Sequence, residues 1–531
     1  MQTTTPLKPF LRQLPNMHLL ALAVAMVIGL ALRLFGLTRE GFWTDELYVI
    51  HEARQPLEML FDPNLHIQHP PGYRLALHVW LGLGLDETWI RLLPALAGLL
   101  LIPATWGLAR LLWPTQPWAA SIAAIFVATS PFLLHYSQDI TTYSWTALWI
   151  TTSMIALVLA WRTDRGVLWA VWAITLAVSM YSHYFSLFPI LVEILAAGLV
   201  GGRESRHKLL RASLSVAAAL ALFVPWMWVL LTRGQDTLGL FLFPLSMDRQ
   251  LLQWLPPLMS GYSRPQFWVQ GTGFTLAWLM LGSATVWGAW RLVRNREWSN
   301  AAGAALVSAW GLAAYVGPYL FLRLTTPPDA IDPVRFAALA APALVLGLGA
   351  VVSTLPAPVR AIAVGAWLVL AGVQWQAELR QPPKQDWRGI MGTIADEART
   401  GDVLLAFTAF HAGTAAAYYP VPIPVQGGWF VSQCGETKGE GAAYWFPQDW
   451  RWRGFLETKA YCSLDLRDEL ARRTREAERV WYLAGDGADG TYPPKPAAEA
   501  LFAEMGWRQA EMWQASPLVL RLYVKSQSLK P

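Results

Sequence analysis

Two adjacent carboxylates, Asp45 and Glu46, stand behind Trp43 in a polar stretch, and two histidines, His66 and His69, follow, the second directly ahead of Pro70 and Pro71. A polar stretch of this length between two apolar runs, with helical apolar spacing inside it, reads as an active-site loop. The plainer reading is a solvated pair of loop acids. His66 and His69 are spaced like metal ligands, but loop histidines beside prolines are more often hydrogen-bonded structure, and no metal is assigned. Further polar residues collect in three short stretches: Ser130 to Tyr143 (SPFLLHYSQDITTY), Tyr181 to Phe185 (YSHYF) and Leu322 to Phe336 (LRLTTPPDAIDPVRF). His183, between tyrosines, is either a site residue or an interfacial side chain with its polar tip in water. Glu193 lies within an apolar run, where a carboxylate is a functional candidate or caps a polar contact.

These residues must be held by elements that are mostly apolar. Of 531 residues 54% are hydrophobic, 15% are charged and thirty are tryptophan, which a soluble chain cannot hide. The tryptophans read mainly as interfacial belts and core. The formal charge of +5 does not point to nucleic acid, because Lys8 and Lys208 are the only lysines before residue 377 and no basic patch alternates with aromatics. Neither Gly-rich phosphate loop nor Asp-x-Asp occurs, which leaves a nucleotide-sugar diphosphate without its usual metal clamp. No cofactor is called for. Cys434 and Cys462 show no zinc spacing and are either a disulfide or two unpaired thiols.

A membrane crossing needs about 20 apolar residues. That length predicts eleven spans, at 17–37, 92–112, 117–134, 142–161, 166–182, 184–201, 210–231, 272–291, 301–322, 335–353 and 359–376. Tyr73 to Leu85 is too short and is expected to lie as a helix at the interface. Orientation follows positive charge in the short loops. With the N-terminus inside, thirteen Lys and Arg face the cytoplasm against Asp164, Glu204 and Glu297. The first outer loop, 38–91, is then long, and Leu47, Ile50, Leu57 and Leu60 give it helical apolar spacing. The expected organisation is an all-α membrane domain, 1–376, and a C-terminal extracytoplasmic α/β domain, 377–531. In the latter, 402–407, 479–483 and 518–524 read as strands, and 390–399 and 497–505 as amphipathic helices. An outer cavity lined by acids, histidines and tyrosines beside lipid suits a lipid-anchored substrate.

The order of motifs resembles the GT-C membrane glycosyltransferases, of the protein O-mannosyltransferase type (family 39) and its bacterial aminoarabinose-transferase and rhizobial core-sugar-transferase relatives. After a first span come Trp43-Thr44-Asp45-Glu46, His69-Pro70-Pro71-Gly72-Tyr73 and Arg91-Leu92-Leu93-Pro94-Ala95-Leu96. Then follow Ser130-Pro131-Phe132, Tyr136-Ser137-Gln138-Asp139, His183-Tyr184-Phe185 and Arg335-Phe336, and Asp386-Trp387-Arg388 resembles the start of a post-membrane domain in bacterial members. The resemblance covers about residues 17–390. It implies transfer of a monosaccharide from a polyprenyl-phosphate carrier to an acceptor hydroxyl on a saccharide, lipid or protein at the outer face of the cell membrane. Asp45 is implied as the base, with Glu46 its neighbour. Trp43, His69, Tyr73, Tyr136, Gln138, Asp139, His183 and Arg335 are implied on the substrate. Bacterial relatives often carry arginine where this chain has Thr141, so the carrier phosphate falls to another cation: Arg335, expected to open a span at a helix N-terminus, or Arg323 or Arg264. A polyprenyl phosphate leaves as a stable anion, so one base and cations on the phosphate suffice, with inversion at the anomeric carbon. The competing readings are a flippase for lipid-linked sugars and a catalytically lapsed assembly partner.

Overall fold

The computed structural model describes residues 16–61, 69–233, 298–325 and 334–380, and in the C-terminal part 385–406, 409–430, 433–434, 437–438, 443–445, 461–463, 466–485, 496–515 and 518–525. The chain divides into two compact units. The first comprises residues 1–37 and 56–381, and the second comprises Thr38–Gln55 together with Pro382–Pro531.

The first unit is helical. Its elements are α1 (Asn16–Leu34), a 3-10 turn (Leu57–Phe61), α3 (Gly72–Leu81), α4 (Glu87–Leu112), α5 (Pro117–Thr129), α6 (Pro131–Gln138), α7 (Tyr143–Thr163) and α8 (Gly166–Ser182). A 3-10 turn (Tyr184–Ser186), α9 (Leu187–Glu204), α10 (Arg206–Arg233), α11 (Trp298–Thr325), a 3-10 helix (Val334–Leu339), α12 (Ala341–Ser353) and α13 (Ala357–Leu379) complete it; α2 (Thr44–Ala53) belongs to the second unit. Among the described residues six helices are long and apolar enough to cross a membrane, and a bent pair makes a seventh. The expected spans 166–182, 184–201 and 335–353 appear as shorter apolar helices, and span 272–291 lies outside the described residues. The expected interfacial piece is α3, ten residues long, with Tyr73, Arg74, Leu77 and Leu81 buried on one side.

The expected span 117–134 is two helices, α5 and α6, meeting at 53°. Pro131 has no N–H to give to the carbonyl four residues back, and Ser130 caps the new start by accepting the Leu133 N–H. The break leaves carbonyls that a buried arginine takes over. Arg33 of α1 donates to Val127 O and Ala128 O, both at 3.3 Å. In return the Gln138 amide donates to Leu32 O, Arg33 O and Phe35 O at the end of α1. Each side chain ends the other's helix, so a bend in lipid leaves few orphaned carbonyls. Around this junction the core closes with Trp367 of α13 stacked on Phe126 at 4.4 Å, its Nε1 donating to Thr129.

The second unit is α/β. Its elements are α2, α14 (Trp387–Glu397), β1 (Val403–Ala406), α15 (Ala409–Tyr418), β2 (Val425–Phe430), β3 (Gln433–Cys434), β4 (Thr437–Lys438), β5 (Ala443–Trp445), β6 (Tyr461–Ser463), α16 (Leu466–Arg473), β7 (Arg479–Gly485), α17 (Pro496–Glu504), β8 (Trp507–Ala515) and β9 (Leu518–Lys525). Seven strands form one sheet in the order β6-β5-β2-β1-β7-β9-β8, with β3 and β4 as a separate hairpin. The centre, β2-β1-β7, is parallel, and the flanks are antiparallel. Every residue of β1 is buried, as a central strand covered on both faces requires. Asp402 at its head accepts from Arg479 (Nη2, 2.6 Å) and from Trp481 Nε1 (2.9 Å), which ties β1 to β7. The strands and helices expected here appear within a few residues of their predicted limits.

Candidate active site

The carboxylate pair lies on α2 of the second unit. Leu47 and Ile50 are fully buried, as their spacing demanded. Trp43 precedes the helix and offers no acceptor, so the first N–H groups need other partners. Glu46 turns back and accepts the Trp43 N–H at 3.2 Å, and it is fully buried. Asp45 stays partly exposed. The two acids therefore divide: Glu46 closes the start of the helix and is fully buried, and Asp45 is half-buried. Thr44 N–H donates to Gln385 Oε1 at 2.8 Å, its hydroxyl is bonded to the same oxygen, and Trp387 Nε1 donates to Thr44 Oγ1 at 3.2 Å. Phe42 N–H donates to the Tyr419 hydroxyl at 2.9 Å.

The remaining candidates lie in the first unit. Gly72 is the residue that lets the His-Pro-Pro-Gly turn meet the end of α8: a Cβ there would stand 2.6 Å from the Tyr181 carbonyl oxygen. This approach sets the His69 ring 5.3 Å from His183. His183 also meets Phe185 (5.2 Å), Phe336 (5.7 Å) and Tyr143 (5.8 Å), and Tyr143 meets Tyr136 edge-on at 4.9 Å. His183 Nδ1 accepts the Phe185 N–H at 3.0 Å, which assigns the ring proton to Nε2. That Nε2 and His69 Nδ1 are buried with no hydrogen-bond partner among the described residues.

Burial lowers the His183 pKa to about 3, so the ring is neutral. His69 is lowered well below its ordinary value by burial first, then by coupling to the neighbouring His183 ring and by the charges of Arg74 and Arg335. The positive charges of Arg74 and Arg335 thus act on a histidine that burial keeps neutral. Arg74 is 2% exposed and donates to His69 O at 3.0 Å. Arg335 precedes Phe336, whose ring packs on His183 and on Phe185. Sequence reading placed Arg335 at the opening of a span. Instead it lies in the six-residue 3-10 helix, and α12 begins at Ala341, because Pro342 favours the first turn of a helix. Its contribution is its charge, without a long helix dipole behind it.

Further candidates make contacts within the first unit. The Gln138 amide is spent on α1, and Arg91 Nη1 donates to the Gln138 carbonyl at 2.6 Å. Asp139 ends α6, is 5% exposed, and its carbonyl accepts the Thr141 N–H. Tyr73, 2% exposed, is buried near Trp145, and Tyr136, 3% exposed, in the aromatic cluster. Glu193 accepts from Trp172 Nε1 (2.6 Å) and Ser153 Oγ (2.7 Å), which pins α9 to α8 and α7 and makes it a polar contact of the bundle. His66 and Arg264 lie outside the described residues, as does the side chain of Arg323. Among the described residues no group of three His, Cys, Asp or Glu could hold a metal ion. Arg74 was missed by sequence reading. Its signal was an arginine two residues after the Pro-Pro-Gly turn, at the start of an apolar helix.

The bundle of apolar helices followed by an α/β unit has the fold of solved GT-C membrane glycosyltransferases. Residues 68–228 match the family model of dolichyl-phosphate-mannose-protein mannosyltransferases. The structure is similar to ArnT from Cupriavidus metallidurans in the apo state (TM-score 0.58, 14% identity, 97% of this chain and 99% of that one). It is also similar to the same ArnT bound to undecaprenyl phosphate (TM-score 0.56, 15% identity, 96% and 98%). A third is the oligosaccharyltransferase of Archaeoglobus fulgidus in complex with zinc and sulfate (TM-score 0.51, 13% identity, 94% and 72%). No curated protein sequence matches the chain.

Proposed function

We propose that this protein transfers a monosaccharide from a polyprenyl-phosphate carrier to an acceptor hydroxyl at the outer face of the cell membrane. The observation that carries the reading is the buried pair His69–His183, each ring with an open nitrogen, with the charges of Arg74 and Arg335 acting on His69. Such a cluster suits a phosphate. A neutral His183 Nε2–H donates without the cost of a buried charge, and the guanidinium groups supply the positive field. A polyprenyl tail gains ~0.8 kcal/mol per buried CH₂, so the protein need read only the head group. The ArnT bound to undecaprenyl phosphate lends support through its fold alone.

In this reading Asp45 takes the acceptor hydroxyl proton. The acceptor oxygen attacks the anomeric carbon opposite the phosphate, the bond from that carbon to phosphate oxygen breaks, and its electron pair leaves on the phosphate. The configuration inverts. Glu46 supports Asp45 by capping the helix. The polar residues are assigned to the outer side by the cytoplasmic excess of arginine and lysine, and the 377–531 domain goes with them. The test uses purified full-length protein in nanodiscs with a panel of undecaprenyl-phosphate monosaccharides and an outer-envelope lipid extract. Release of undecaprenyl phosphate that falls on Arg74→Ala or Arg335→Ala is the expected result. Efficient transfer from a nucleotide sugar without lipid carrier would overturn it.

A further inference from the structure

We propose that Gln385 is the positioning residue of Asp45: it acts as the N-cap of α2 from 341 residues away. This rests on the reading of Asp45 as base. A helix start leaves backbone N–H groups without intrahelical partners, and the usual remedy is a Ser, Thr, Asp or Asn just before the helix. Here Trp43 stands in that place and offers no acceptor. Gln385 Oε1 supplies one, taking the Thr44 N–H at 2.8 Å and bonding the Thr44 hydroxyl as well. Trp387 Nε1 then donates to Thr44 Oγ1 at 3.2 Å. Thr44 is 5% exposed, Gln385 6% and Trp387 fully buried. A neutral network this dry has no water to substitute for a lost partner. Two further bonds fix the approach: Arg388 Nη2 donates to Thr38 O (3.1 Å) and Tyr419 accepts the Phe42 N–H. Asp45, the next residue along, has its backbone direction set by these bonds. The stretch Gln385-Asp386-Trp387-Arg388 thus has a role its sequence does not declare. It starts the helix that carries the carboxylate, and that helix forms correctly only when the C-terminal part is folded.

The experiment is hydrogen exchange on the full-length protein in nanodiscs, paired with turnover of the same undecaprenyl-phosphate sugars. Gln385→Ala should raise exchange of the Thr44 amide roughly tenfold, about one neutral hydrogen bond, with β1 and β7 unchanged. Gln385→Glu keeps an acceptor oxygen and should restore protection. Turnover should follow: kcat falls in Gln385→Ala with KM for the lipid donor unchanged, and returns in Gln385→Glu. Trp387→Phe removes one bond only and should show a smaller effect of the same kind, which covers the case where Gln385→Ala does not fold. Unchanged exchange at 42–47 in Gln385→Ala overturns the proposal, as does a KM rise with kcat intact. If exchange responds as expected but wild type releases no sugar from any lipid donor, the cap stands and the assignment of Asp45 as base fails.

Discussion

Asp45 and Glu46 are neighbours in the chain and opposites in surroundings. Sequence placed both at the chemistry; the 3.2 Å bond from the Trp43 N–H to Glu46 Oε2 separates them. Asp45→Asn should lower transfer ~10²–10⁴-fold, as loss of a general base does. Glu46→Gln keeps an acceptor oxygen and should retain most turnover. Steady-state kinetics on the two variants decides between them, and the reverse pattern moves the base by one residue. At His183 the pattern His-Tyr-Phe was legible, but its neutral form was not, because neutrality follows from burial among Tyr143, Phe185 and Phe336. His183→Asn offers an oxygen to the Phe185 N–H and lacks the Nε2–H. Its KM for the lipid donor should rise roughly 10–100-fold, a lost hydrogen bond to a charged group. The pH dependence has a defined sign. His183 is lowered to about 3 from an ordinary 6.5. Between those values the unfolded chain binds a proton that the folded one refuses, so the stabilising contribution is complete above about 6.5 and is lost as pH falls toward 3. Thermal unfolding followed by tryptophan fluorescence from pH 7 to 4.5 should show a shallower loss in His183→Asn than in wild type.

At the scale of elements the break between α5 and α6 is instructive. The run 117–134 is apolar throughout, and hydropathy averaged over such a window reads one span. Pro131 removes one hydrogen bond, and the chain bends because Arg33 supplies replacements for Val127 O and Ala128 O. Arg33→Leu should then leave two buried carbonyls without donors, each costing about 1–3 kcal/mol. A lower midpoint of thermal unfolding in detergent, with Arg33→Lys in between, is the expected result; a wild-type midpoint in Arg33→Leu would remove the clasp from the account. The same clasp explains Gln138, whose motif suggested substrate. Its amide is occupied by three carbonyls of α1, and a search of sequence for polar residues cannot tell an amide that binds ligand from one that ends a helix.

For the whole molecule the orientation rests on loop charge: thirteen Lys and Arg against three acids on the inner side. We expect residues 385–525 outside. Cysteine placed at Glu511, exposed on the edge strand β8, in a chain with Cys434 and Cys462 replaced by serine, should react with a membrane-impermeant maleimide in intact cells. Protection in intact cells together with labelling after lysis would reverse the orientation.

Hydrophobic runs, strand periodicity and short motifs are sums over neighbouring residues. The sequence by itself therefore determined a helical membrane protein with a C-terminal α/β part, a polar first loop and the resemblance to GT-C glycosyltransferases. Tertiary structure alone decided which residues share a neighbourhood. It joined Thr38–Gln55 to the C-terminal unit, set His69 against His183 with Arg74 beside them, and gave α2 its cap from Gln385. Those pairings depend on distance in space between residues far apart in the chain, where a hydrogen bond or a ring contact forms only after the helices have packed. No local window of the sequence contains that information.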